Sequence, residues 1–157
     1  MADRLVVFEA TIASAWNVQG EAPGLSSAPN AVSREGSVTA FWLGPRSWLV
    51  LGKSPGEATA AFDVSASRVA YTLSGSHAAT VLNKHCPLDF HPSAFPPATC
   101  AQSLFGQVNA LYYRHAAAEA ITIFVARSFA RDVAHHLDAS AAQYGAEWAA
   151  PRPFVAD

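Results

Sequence analysis

The chain alternates short apolar runs with polar punctuation, and the period of the runs changes along its length. Residues 5–9 and 13–18 are brief β-leaning segments. The stretch 19–37 has the composition of a surface connection, with Gly, Pro, Ser and Asn every few positions. Residues 37–43 and 47–51 are rich in β-branched and aromatic side chains and flank Gly44-Pro45-Arg46, which predicts a hairpin. One or two helical turns are expected over 56–62, then a strand over 68–73 that Ser74-Gly75-Ser76 stops. From there Val81, Leu82 and His85 share one face of a helix over 77–85, and Cys86-Pro87 ends it, because a proline disfavours helical geometry at the residue before it. Residues 87–99 hold four of the ten prolines, so this stretch is a rigid, irregular loop. Strands follow at 100–104, 108–113 and 120–125. Ser128 is placed as the N-cap of a last helix, on which Phe129, Val133, Leu137, Ala141 and Tyr144 recur near the helical period before Gly145 closes it. Strands, helix, strands, helix is the order of an α+β sandwich, a mostly antiparallel sheet with two main helices packed on it.

Composition bounds what such a domain does. For 157 residues one domain spanning 1–157 is expected, with a flexible loop at 19–37. Ten Lys and Arg against twelve Asp and Glu leave a net charge of −2, and no basic block exists to neutralise a run of phosphates. This argues against a nucleic-acid binder. No apolar run approaches the roughly 18–20 residues that span a bilayer. Met1-Ala2-Asp3-Arg4-Leu5 lacks the basic-then-apolar pattern of a signal peptide, so a cytoplasmic protein without a membrane partner is expected. In that compartment Cys86 and Cys100 are expected as free thiols. Charged residues make up only 14% of the chain, against roughly 25% in typical soluble domains. The deficit raises the expectation of a contiguous apolar patch that receives a partner.

Few residue groups carry chemistry. Gly52-Lys53-Ser54 resembles the end of a phosphate-binding loop, but that motif needs a glycine five positions earlier, where Ser47 stands in a strand pattern; a hairpin exit is the better reading. Neither G-x-G-x-x-G nor G-x-S-x-G occurs. His85, Cys86, His91 and Cys100 are the one cluster of soft ligands, and their spacing matches no compact zinc module; buried thiols with packed or solvated histidines are favoured. Adjacency of His85 and Cys86 in sequence does not by itself make a nucleophile. His135 and His136 point in different directions on a helix, which is poor chelating geometry. No catalytic residue and no metal ligand is therefore assigned. Asp89 stands out among the carboxylates because a proline-fixed loop holds it just after a helix. Turn bonding through its own side chain is the local alternative. Arg127 with Ser128 reads first as a strand-to-helix cap and second as an anion contact. Trp42 and Trp48 flank the hairpin turn and divide between core and interface.

The segments Phe41-Trp42-Leu43-Gly44-Pro45-Arg46-Ser47-Trp48-Leu49-Val50 and Leu73-Ser74-Gly75-Ser76 resemble the γ subunit of heterotetrameric sarcosine oxidase. The most specific part of the likeness is Cys86-Pro87-Leu88-Asp89-Phe90-His91-Pro92-Ser93-Ala94-Phe95-Pro96-Pro97, continuing to Cys100-Ala101-Gln102. Val18-Gln19-Gly20, Ala28-Pro29-Asn30 and Arg127-Ser128-Phe129-Ala130 fit the same pattern, so the likeness runs from about residue 16 to residue 145. Arg46-Ser47 departs from it, standing where acidic residues are common. That family is similar in turn to one half of the glycine-cleavage T-protein, an aminomethyltransferase, which implies the fold of its folate-binding domain.

The resemblance implies a non-catalytic subunit that acts in assembly and stabilisation. The enzyme it implies oxidises sarcosine to glycine and passes the one-carbon unit to tetrahydrofolate. No cofactor is implied on this chain; FAD, FMN, NAD and tetrahydrofolate are implied for partner subunits. Those partners are the α, β and δ subunits, chiefly a large flavin- and folate-binding one. Trp42, Trp48, Pro87, Phe90 and Phe95 become interface candidates, and Asp89 and Arg127 become candidates for folate contact or loop anchoring. The alternative function is a small stand-alone folate-binding or aminomethyltransferase-like module using Asp89.

Overall fold

The structure is a computed structural model that describes residues 4–54, 56, 58 and 60–157. In chain order the strands among them are β1 (Val6–Thr11), β2 (Ala15–Gln19), β3 (Val32–Glu35), β4 (Val38–Gly44), β5 (Ser47–Leu51), β6 (Ala60–Asp63), β7 (Arg68–Ser74), β8 (Cys100–Phe105), β9 (Val108–Arg114), β10 (Ala120–Ala126), β11 (Glu147–Trp148) and β12 (Arg152–Pro153). Two α-helices accompany them, α1 (Ala78–Asn83) and α2 (Ala130–Ala142). One sheet runs β11-β1-β7-β10-β9-β8, with β12 also on β1; the other runs β3-β4-β5-β2-β6. Only the pairings of β11 and β12 with β1 are parallel. The expected mostly antiparallel α+β class with two helices is found, and the sheet is split in two.

Alternation along the strands explains the split. Successive side chains of a strand point to opposite faces, and here both faces are covered. Val69, Tyr71 and Leu73 of β7, with Ile121, Ile123 and Val125 of β10, pack under α1 and α2 against Val81, Leu82, Val133 and Leu137. Their neighbours Ala70 and Phe124 face the other way and meet Phe41, Leu49 and Leu51 of the second sheet. That sheet buries its outer side too: Val18, Ala40, Trp48 and Val50 form a third cluster, with Ala22 and Leu25 of the 19–37 connection packed on it. The Trp48 indole donates to the Ser26 carbonyl at 2.8 Å, fixing that connection over the sheet. The layers are thus helices, sheet, sheet, loop.

Three local expectations change. Helical turns over 56–62 are replaced by β6, which pairs antiparallel with β2 from Trp16↔Asp63 to Gln19↔Ala60. The free edge of β2 needs partners for its backbone N–H and C=O groups, and this need overrides the weak helical preference of an Ala-rich stretch. Positions 57 and 59 of that expected helix lie outside the described residues. Within 19–37, residues 32–35 form β3 on β4. Ser128 sits inside a 3₁₀ turn, Arg127–Phe129, and α2 starts after it with no side-chain cap.

Two glycines are required by geometry. Gly145 has φ +64°; its N–H donates to Ala142 and that of Ala146 to Ala141, a Schellman closure. Gly52 has φ +112°, and a Cβ there would lie 2.7 Å from the Ser37 carbonyl oxygen. The Gly52-Lys53-Ser54 segment is accordingly a hairpin exit held against the start of β4.

Candidate functional site

The proline-rich loop between α1 and β8 is built from its own side chains. Asp89 is exposed, and its carboxylate accepts the His91 N–H at 2.9 Å, an Asx turn. His91 Nδ1 is 2.8 Å from the Ser93 hydroxyl, and Thr99 donates to the Pro96 carbonyl at 2.6 Å. Phe90 and Phe95 turn inward, at 3% and 4% exposure, and meet edge to face beside the Tyr112 ring. The anchor is Arg114 at the end of β9, a residue sequence reasoning passed over. Its guanidinium donates to the Phe90 carbonyl and lies 5.4 Å from the centre of the Phe95 ring. A cation closing a run of four buried residues, Ala110 to Tyr113, was the available signal.

Arg127 is exposed and bonded to backbone: its Nε donates to the Ala66 carbonyl at 2.8 Å and an Nη to that of Arg68 at 3.2 Å. It ties the turn before α2 to the start of β7. Of the interface candidates, Trp48 joins Phe90 and Phe95 among the buried residues, so these three side chains serve this chain's own core. Trp42 is half-buried and Pro87 is exposed. The large exposed apolar side chains Phe62, Leu104, Phe129, Trp148 and Val155 belong to five different segments.

The four soft ligands do not converge. Cys86 belongs to the cluster under the helices and Cys100 to the cluster between the sheets, on opposite faces of the first sheet. His85 instead lies 2.5 Å from the Ser140 hydroxyl and stacks on Phe105. Among the described residues no group of three or more His, Cys, Asp or Glu is placed to hold a metal ion. Burial pushes the Cys100 thiol up to about 12, outweighing the opposing influence of the backbone at Trp42 and at Cys100 itself. At about pH 8 only about one thiol in ten thousand is then thiolate. Cys100 is therefore expected to resist iodoacetamide in the folded protein and to react once urea unfolds it, as peptide mass spectrometry would read. Labelling of the native protein at the rate of a free thiol would contradict this environment.

Sequence reasoning also missed a buried polar chain. The Thr72 and Thr122 hydroxyls, paired across β7 and β10, are 2.7 Å apart; His115 Nε2 is 2.8 Å from Thr122, and its Nδ1 is 3.0 Å from the Asp157 carboxylate. Asp157 also accepts the N–H groups of Ala116 and Ala117. Asp, His and hydroxyl stand in the sequence of a catalytic triad, but Thr122 is fully buried mid-strand, so no substrate reaches it. The chain instead fastens the segment after β12 to the sheet.

Burial holds the His115 pKa below its ordinary 6.5, outweighing the attraction of Asp157, and His85 is lowered by burial, His136 and Lys84. Burial would raise Asp157, but the N–H groups of Ala117 and Ala116 and the charge of His115 together hold it below 3.8. All three act in one direction. Below 6.5 the unfolded chain takes up protons that the folded histidines refuse, and below 3.8 Asp157 adds its share, so stability falls with acidification. The urea midpoint is expected to drop from about pH 7 to about pH 5, with a shallower slope for His115→Asn. A midpoint flat across that window would refute the buried neutral histidine.

Fold and site together define a small two-sheet α+β sandwich whose ionisable groups chiefly hold its own loops and termini in place. Among the described residues no helix is long and apolar enough to cross a membrane. Residues 55–143, from the approach to β6 through α2, match the sarcosine oxidase, gamma subunit family. The chain belongs to that family. Similar relatives include the sarcosine oxidase subunit gamma of Corynebacterium sp. (strain U-96), 38% identical over 46% of this chain and 42% of the relative, and that of an Arthrobacter species, 33% identical over 47% and 42%. These matches span less than half the length of the relatives. A chain of the heterotetrameric sarcosine oxidase of Corynebacterium sp. U-96, in complex with pyrrole 2-carboxylate, has the same fold at TM-score 0.78 and 22% identity, over 91% of this chain and 86% of that one.

Proposed function

We propose that this chain is the γ subunit of a heterotetrameric sarcosine oxidase and that its contribution is assembly and stabilisation, without a catalytic residue of its own. The observation that carries the reading is the family match over 55–143, the stretch that contains both helices and the proline loop. On this reading the α, β and δ subunits are the partners, and FAD, FMN, NAD and tetrahydrofolate are bound by them, chiefly by a large flavin- and folate-binding subunit. The place of action is the cytoplasm. Trp42 and Pro87 remain candidate contacts, joined by the exposed Phe62, Leu104 and Phe129.

The test uses the isolated chain. It is expected to consume no oxygen with sarcosine and to show no micromolar binding of tetrahydrofolate, since the Asp89 carboxylate is engaged by its own loop. Micromolar folate binding that Asp89→Asn abolishes would overturn this reading in favour of a stand-alone folate module.

A further inference from the structure

Where the two sheets splay apart at one end, they leave a cleft of about 430 Å³, within the range of small-molecule sites. Its polar wall is Arg68, Gln102, Ser103 and Asn109. Leu49, Leu111 and Phe124 supply an apolar wall. The Arg68 position follows from strand alternation: Val69 points under the helices, so Arg68, like Ala70, points toward the second sheet.

Among the described residues the guanidinium of Arg68 has no counter-ion, and its Nε is shielded from solvent with no hydrogen-bond partner. An orphaned buried donor is costly, more so when charged, so such a group asks for an acceptor. Among the described residues the cleft lining contains no carboxylate to supply one. The Gln102 amide already donates to the Leu43 carbonyl at 2.5 Å. Arg127, the neighbouring cation, directs its Nε and one Nη to the Ala66 and Arg68 carbonyls and is not part of the cleft lining. What remains on the cleft wall is the unpaired guanidinium of Arg68, with Asn109, on the same face of β9 as Leu111, in the same lining.

We propose that this cleft is a carboxylate-binding site, with Arg68 as the bidentate partner of a single carboxylate whose carbon chain lies along Leu49, Leu111 and Phe124. One fork of charge +1 matches a monoanion, and the apolar wall suits a carbon substituent better than a phosphate's further oxygens. Two sources offer that chemistry: a free small carboxylate, or an Asp or Glu side chain of a partner subunit. The second source rests on the assembly proposed above; the first does not.

Two measurements decide. The arginine Nε–H resonances of the full chain are followed by NMR while sodium acetate is titrated against sodium chloride at matched ionic strength. Saturable movement of the Arg68 signal with acetate alone assigns the site to a free carboxylate. The Arg68→Gln variant is then tested for assembly with the flavin-bearing partner subunits. If acetate does not saturate but this variant binds them at least about tenfold more weakly, the carboxylate is a partner side chain. Arg68→Lys, which keeps the charge and loses the fork, covers the case in which Arg68→Gln does not fold. An Arg68 signal that follows chloride as it follows acetate, together with unchanged assembly, overturns the proposal. If the chain joins no partner at all, the acetate titration decides alone, and a signal that does not saturate overturns the proposal.

Discussion

Replacing Phe41 by alanine is expected to destabilise the protein by about 3–5 kcal/mol. Phe41 is fully buried on β4 and is the point at which the two sheets meet. Its ring centre lies 5.2 Å from that of Phe124 and 5.5 Å from that of Tyr113, both on the first sheet, and 6.1 Å from Phe154 after β12. Truncation removes the transfer energy of the ring and leaves a void that the strand-held Phe124 and Tyr113 cannot close, because each backbone is fixed by ladders on both sides. At roughly 2–4 °C per kcal/mol for a domain of this size, the melting temperature should fall by about 10 °C or more. Differential scanning calorimetry checks this. A loss below about 1 kcal/mol would mean that the sheets are joined elsewhere.

Arg114→Ala should cost about 2–4 kcal/mol and should act on one loop before the rest of the fold. Arg114 is 9% exposed and bridges β9 to the proline loop through the Phe90 carbonyl and the Phe95 ring. The hydrogen bond from a charged donor contributes about 1.5–3 kcal/mol and the ring contact about 0.5–2 kcal/mol. Relief of the buried cation's desolvation offsets part of that. The distinguishing readout is hydrogen exchange: the amides of Ala94, Phe95 and Ala98 should lose protection at denaturant concentrations where β7 and β10 keep theirs. Arg114→Lys should rescue little, since an ammonium lacks the planar face that stacks on Phe95. A variant that unfolds only globally, with the loop protected to the end, would show that the prolines alone hold it.

The two aromatic and charged anchors differ in how far the sequence announced them. Phe41 stands in a run of β-branched and aromatic residues, and the hairpin it belongs to, like β7, β8 to β10 and α2, is legible from period and punctuation. Arg114 is not: its partner is the backbone of Phe90, and no spacing rule joins them. Asp157 and His115 likewise meet across 42 positions, which only the paired strands bring together. The division into two sheets was hidden because β4 and β5 bury both faces, so Leu49 and Trp48 look alike in sequence although they face different cores. The edge strands β3 and β6 were missed because Val32–Glu35 and Ala60–Asp63 are short and weakly patterned, and are strands only because β4 and β2 offer them an edge. Asp89 shows the reverse. Its prominence in the loop was legible, and both of its candidate uses were, but the choice of the Asx turn is a matter of geometry.

Co-purification tests most directly the proposal that this chain works by joining an oxidase. A tagged copy would be co-expressed with α, β and δ subunits of sarcosine oxidase, and the recovered material examined for flavin absorbance, subunit stoichiometry and sarcosine-dependent oxygen uptake. The account predicts a yellow complex containing this chain in equal proportion to the flavin-bearing subunits, and a complex that is less stable or fails to form when the chain is omitted. Partner subunits that assemble to full activity without it, and leave the tagged chain free, would contradict the account.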